Sequence, residues 1–78
     1  MKLFDIGAKI RQLRKDKGIT QEALAKVAGI SRVTLGKLER GQVGAVSIKS
    51  LDLILNELGY EIEFQPKDEF GFGIPVFS

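Results

Sequence analysis

The chain contains no cysteine, no histidine and no tryptophan, and only two prolines in 78 residues. Without cysteine there is no disulfide, no thiolate nucleophile and no Cys/His zinc site. Without histidine there is no imidazole to serve as a general base. No apolar run approaches the roughly 20 residues that a membrane-spanning helix needs, and the N-terminus lacks the apolar core of a signal peptide. A cytoplasmic protein with no membrane partner is therefore expected. The carboxylates form no pair on a recognisable cleft, and Gly71-Phe72-Gly73 lacks the strand-to-helix turn of a phosphate loop. These absences argue against an enzyme, and no metal or cofactor is expected.

What is present fits one small folded domain. Hydrophobic residues make up 44% and charged residues 28%, a balance that suits a packed core and not a disordered chain. At this size a single core supplies only a few kcal/mol, so a partner copy that enlarges it would be useful. The net charge of +2 conceals a division. Residues 1–49 carry eleven Lys and Arg against four acids, a net +7. Residues 50–78 carry Lys67 against six acids, a net −5. A basic half of this kind suits a polyanion, with the acidic half turned away; an unevenly charged solvated surface is the alternative.

Capping residues and glycines divide the chain into helices. Asp5 is expected to cap a first helix with Ile6, Ile10 and Leu13 on one face, ended by Gly18 after basic Arg14, Lys15 and Lys17. Thr20 caps a second helix over residues 21–28, with Leu24 and Val27 apolar, and Gly29 stops it. Ser31 caps a third from Arg32 to about Arg40, stopped by Gly41, and a loop spans residues 42–46. Ser47 caps a fourth, with Ile48, Leu51, Leu55 and Leu58 as its stripe and Gly59 at its end. Leu53 and Ile54 widen that stripe beyond the needs of one small core. Residues 60–65 then alternate apolar and polar, the period of a half-buried strand, and Pro66 ends it. The tail, residues 67–78, holds Phe70, Phe72, Ile74, Val76 and Phe77 among Gly71, Gly73 and Pro75.

Residues 21–40 meet the demands of a helix-turn-helix. A steep crossing over a short turn requires a small residue on the first of the two helices, supplied by Ala25. It requires a residue tolerant of positive φ in the turn, supplied by Gly29. Apolar anchors are also needed, and Leu24, Ile30, Leu35 and Leu38 are so spaced. A plain helical hairpin is the alternative.

The run Thr20-Gln21-Glu22-Ala23-Leu24-Ala25, with Gly29-Ile30-Ser31 and Leu38-Glu39-Arg40-Gly41, resembles the Cro/lambda-repressor (XRE-like) helix-turn-helix family. Arg11-Gln12-Leu13-Arg14 and Lys17-Gly18 match the family's first helix, and the resemblance covers residues 6–59. It implies an all-α, lambda-repressor-like DNA-binding domain of four to five helices, acting as a dimeric regulator. The added strand and tail are similar to those of HipB-type antitoxins. That likeness implies a strand shared across a homodimer and a HipA-like, kinase-like toxin as a second partner, with autoregulation of a toxin-antitoxin operon. The organisation expected is a DNA-binding domain over 1–59, a dimerisation strand over 60–66 and an apolar tail over 67–78. A stand-alone phage-type or chromosomal regulator without a toxin, and a protein-binding module without DNA activity, remain as alternatives.

On the third helix Leu35 and Leu38 face inward, so Arg32, Val33 and Lys37, with Gly36 between, face outward toward a major groove. Arg32 suits guanine O6 and N7, Val33 a thymine methyl, and Lys37 a base edge or a phosphate. Gln21 matches the family position that binds phosphate. Ser31, Thr34, Arg40 and Lys9 are further expected phosphate contacts. Arg14 and Glu39 are expected to form a partly buried ion pair between the first and third helices, as the family often does. Tyr60, Ile62 and Phe64 are the expected dimer contacts, with Glu61 and Glu63 outward. Phe70, Phe72, Ile74 and Phe77 are the expected anchors for a partner, or for a groove of the protein's own dimer.

Overall fold

The structure, a computed structural model, describes residues 3–63, with side chains from residue 5 onward. Four α-helices follow in order: α1 (Leu3–Asp16), α2 (Gln21–Ala28), α3 (Arg32–Glu39) and α4 (Ile48–Glu57), with a 3₁₀ turn, Val43–Ala45, between the last two. The 3₁₀ turn lies in the stretch that the sequence marks only as a loop. Asp5 is not the cap of α1: the helix begins two residues earlier and Asp5 sits in its first turn. An acid there still meets the positive end of the helix dipole, which is why its presence marks the region and not the boundary.

The other caps fall where the sequence puts them. Thr20, Ser31 and Ser47 have extended backbones, and their hydroxyls accept from the N–H groups of Ala23, Thr34 and Ser50. Gly29 closes α2 at φ +71°, a conformation that side chains other than glycine's rarely take. Its N–H reaches the carbonyl of Lys26 and that of Ile30 reaches Ala25, the paired closure of a Schellman motif. The same pair of bonds closes α4, where the N–H of Gly59 meets Asn56 and that of Tyr60 meets Leu55 at 2.7 Å. The Tyr60 N–H is thus committed to helix closure. Within the single chain, residues 60–63 form no strand. Phe64 and the tail residues Phe70, Phe72, Ile74 and Phe77 lie outside the described residues.

The core consists of Ile10, Leu24, Ala25, Ala28, Leu35, Leu38, Ile54 and Leu58, with Ile6, Leu13, Ile19, Ile30, Leu51 and Leu55 packed around it. α2 packs on both α3 and α4, and α1 packs on α3. Ala25 is buried, as the close helix crossing requires, whereas Val27 points outward. The stripe of α4 is rotated from the expected one. Leu51, Ile54, Leu55 and Leu58 face the core at helical spacing, and Ile48 is 77% exposed at the first position of the helix. Ile54 is therefore a core residue and not surplus surface, while Leu53 remains exposed. Ser50 adds a polar tie, its hydroxyl donating to the Ala28 carbonyl at 3.1 Å and so fastening α4 to the end of α2.

Gly7 fixes the approach of α1 to α3. A Cβ at this position would overlap the carbonyl oxygen of Leu38, and would lie 3.0 Å from its carbon and 3.1 Å from the Glu39 carbonyl carbon. Backbone therefore meets backbone at this crossing. The sequence carried a signal for it, because a glycine inside a helix sacrifices about 1 kcal/mol of propensity and normally has a packing reason.

Candidate nucleic-acid interface

α2 and α3 form the helix-turn-helix, and the residues left exposed on α3 define its outer face. Arg32, Val33 and Lys37 are all exposed, with Val33 at 63%. Leu35 and Leu38 are fully buried on the opposite side, so the inward and outward assignment holds. Gly36 differs from expectation. It is buried, because the side chains of Arg40 and Gln21 reach over it. A Cβ on Gly36 would meet Arg40 Nη1 at 3.3 Å and Gln21 Nε2 at 4.0 Å.

Behind this face lies a charged network. Arg14 donates from Nε to Glu39 Oε2 at 2.7 Å and from Nη2 to Oε1 at 3.1 Å, a two-pronged pair. Its Nη1 donates to the Ile19 carbonyl at 3.0 Å, binding the segment that leads into α2. Arg14 is 7% and Glu39 6% exposed. The pair is therefore deeper than the partly buried one expected from sequence. Gln21 completes it, donating from Nε2 to Glu39 Oε1 at 3.0 Å. The amide must present nitrogen here, because an ionised carboxylate only accepts. One N–H of Gln21 is thus committed to Glu39 and its second remains for an outside acceptor.

The hydroxyls at the start of α3 divide in the same way. Ser31 Oγ accepts the Thr34 N–H at 3.0 Å and donates to Thr34 Oγ1 at 2.9 Å. Ser31 is spent as a cap, and the proton of the Thr34 hydroxyl is the one left to give outward. Arg40 is exposed at the end of α3.

Two clefts gather several of these groups. One of about 570 Å³ is lined by Arg11, Arg14, Thr20, Gln21, Glu22 and Arg32. Another of about 250 Å³ is lined by Arg11, Gln21, Gly36, Glu39 and Arg40. Arg11, which sequence spacing did not single out as a contact, lines both. Lys9 lines neither; two residues apart on a helix, it and Arg11 do not share a face. Among the described residues, the side chains of Arg11, Arg32, Lys37 and Arg40 make no ion pair and no hydrogen bond. The same residues contain no cluster of His, Cys, Asp or Glu able to hold a metal, and no helix long and apolar enough to cross a membrane.

The chain belongs to the XRE-like helix-turn-helix family: the helix-turn-helix family model matches residues 10–65. It is 57% identical over 35 residues to an uncharacterized HTH-type transcriptional regulator, YazB, of Bacillus subtilis (strain 168). That match covers 45% of this chain and 51% of the Bacillus protein, so it spans about half of that relative's length. The crystal structure of the clp gene regulator ClgR from Corynebacterium glutamicum superposes with a TM-score of 0.68 at 35% identity. The likeness covers 78% of this chain and 65% of ClgR. The four-helix helix-turn-helix fold is shared.

Proposed function

We propose that this protein is a DNA-binding transcriptional regulator that lays α3 in the major groove of duplex DNA and represses from a two-fold symmetric operator. The observation that carries it is the outer face of α3, where Arg32, Val33 and Lys37 stand exposed on the second helix of the motif and the two cations have no ion-pair partner among the described residues. Membership of the family and the likeness to two transcriptional regulators support the same reading. Arg32 reads guanine, Val33 packs on a thymine methyl and Lys37 reaches a base edge or phosphate. Gln21, Thr34 and Arg40 hold the backbone, with Ser31 acting through its cap and Lys9 on a flanking phosphate.

The test begins with selection of a binding site from a random duplex pool. Arg32→Ala then costs about 1–3 kcal/mol on the selected site and little on random duplex. Equal losses on both would remove Arg32 from base reading. Failure of the wild type to bind any duplex at low salt would favour a module that binds protein alone.

The two-fold operator requires a homodimer, with half-sites about one helical turn, roughly 34 Å, apart. Support comes from apolar side chains left open near the end of α4: Leu53 at 37%, Tyr60 at 51% and Ile62 at 43% exposure. In the proposed dimer residues 60–66 pair with their mate as a strand, because a lone strand in a helical domain cannot satisfy its backbone groups and a two-fold mate can. Truncation after Gly59 should yield a monomer by light scattering. A truncated protein that stays a tight dimer would move the interface to Leu53 and its neighbours. The likeness to HipB-type antitoxins rests on residues 60–78, and no observation on the described residues adds weight to a toxin partner. The proposed function therefore ends at DNA regulation.

A further inference from the structure

We propose that the outer face of α4 docks antiparallel on α4 of a second copy, with Leu53 at the two-fold axis and Lys49 of each chain paired with Glu57 of the partner subunit. This rests on the homodimer proposed above. It adds the register of the two copies and the charges that select the mate.

The charges at the ends of α4 run against its own dipole. An anion is favoured near a helix N-terminus and a cation near the C-terminus. α1 and α2 follow that rule, with Asp5 and Glu22 in their first turns and Arg14, Lys15 and Lys26 in their last. α4 has no acid in its first turn and no base in its last; Lys49 is its second residue and Glu57 its final one. Both are exposed, and neither makes an ion pair or a hydrogen bond through its side chain among the described residues. An antiparallel mate turns the arrangement to advantage. It brings its negative C-terminal end to Lys49 and its positive N-terminal end to Glu57.

Spacing supplies the register. Leu53 stands four residues after Lys49 and four before Glu57, so each charge lies about 6 Å from it along the axis at 1.5 Å per residue. The three fall within about 80° of one another around a helix of 3.6 residues per turn. Leu51, Ile54, Leu55 and Leu58 face the core on the other side. Leu53, 37% exposed, is thus an apolar centre with opposite charges at equal distances. Rotation about a two-fold axis at Leu53 converts that pattern into two identical ion pairs, because both copies offer the same patch. Asp52 lies about 100° from Leu53 and is half-buried, which takes it off the seam. A stable interface buries about 1,200–2,000 Å² in total, more than one face of a helix as short as α4 offers. The α4 contact therefore sets register and partner choice, while Tyr60, Ile62 and the proposed strand add area.

Light scattering on the full chain over a range of concentration tests the register. Lys49→Glu and Glu57→Lys each turn both ion pairs into like-charge contacts, and each should raise the dimer dissociation constant about tenfold or more. Helical content by circular dichroism should hold at the wild-type level, because each substitution gives its helix end the charge that the dipole favours. Mixing the two single variants in equal amounts should restore the dimer, as a heterodimer in which two acids of one chain meet two bases of the other. That recovery also shows that both variants fold. If the single variants dimerise as tightly as the wild type, or the mixture is no tighter than either alone, the α4 register is wrong and pairing through residues 60–66 stands by itself. If Lys49→Glu recovers with Asp52→Lys and not with Glu57→Lys, the seam lies elsewhere on the helix and the register is again overturned. A wild type that is monomeric at every concentration would overturn the homodimer, and the DNA-binding reading would keep its own test.

Discussion

Glu39→Ala should lower the stability of the domain by about 3–5 kcal/mol, the cost of leaving a buried partner charge uncompensated. Arg14 is only 7% exposed and would keep a single bond, Nη1 to the Ile19 carbonyl, out of three. Gln21 would lose the acceptor that orients it. A domain of this size has about 5 kcal/mol in total at the low end of the usual range, so at the upper end of this cost about half of the variant should be unfolded at room temperature. Urea unfolding followed by circular dichroism measures the difference. An effect under about 1 kcal/mol would place the pair among exposed ion pairs. Replacing both members with apolar residues, as in Arg14→Met with Glu39→Leu, should recover most of the loss, because no charge then remains buried. A double variant as unstable as Glu39→Ala alone would show that the network contributes something other than charge compensation.

Gly7→Ala should be the second severe change, although it adds a single methyl. The new carbon would overlap the Leu38 carbonyl oxygen and crowd the Leu38 and Glu39 carbonyl carbons. These are backbone atoms of α3 near its end, and they cannot swing aside as a side chain can. Relief requires α1 to move off α3, which loosens Ile10 from the core and strains the Arg14–Glu39 pair that spans the same two helices. Overpacking of this kind typically costs about 1–3 kcal/mol and outweighs the gain of about 1 kcal/mol that alanine brings to a helix. For a domain of this size each kcal/mol shifts the melting temperature by about 4–8 °C. A variant that melts at or above the wild-type temperature would show that the two helices have room to part.

The contrast between Gly7 and Gly36 shows what can be learned from one chain and what cannot. Both are glycines inside helices, and both sacrifice the same propensity. At Gly7 the neighbour is backbone, and at Gly36 it is the ends of two polar side chains. Sequence flags the sacrifice in each case but does not say which surface demands it. The same holds for Ile48 and Ile54. The apolar pattern of α4 admits either as part of the core stripe, and the docking of α4 on α2, with Ser50 tied to the Ala28 carbonyl, decides for Ile54. Gln21 is a further instance. Its place at the start of α2 was legible, but its bond to Glu39 joins residues 18 positions apart and exists only once α3 has packed.

The sequence by itself determined the four helices, the caps of α2, α3 and α4 and the glycine stops, because those depend on local chemistry: a hydroxyl three residues before an N–H, a glycine where φ must be positive. It likewise determined the outer face of α3, since helical spacing separates Arg32, Val33 and Lys37 from Leu35 and Leu38 without reference to any partner. Only the tertiary structure decided the depth of the Arg14–Glu39 pair, the contact of α1 with α3 at Gly7, and the meeting of Arg11 with Gln21 and Arg40. Each of these joins residues far apart in the chain, and burial and approach distance belong to the packed whole, where the backbone of one helix sets the limit for the next.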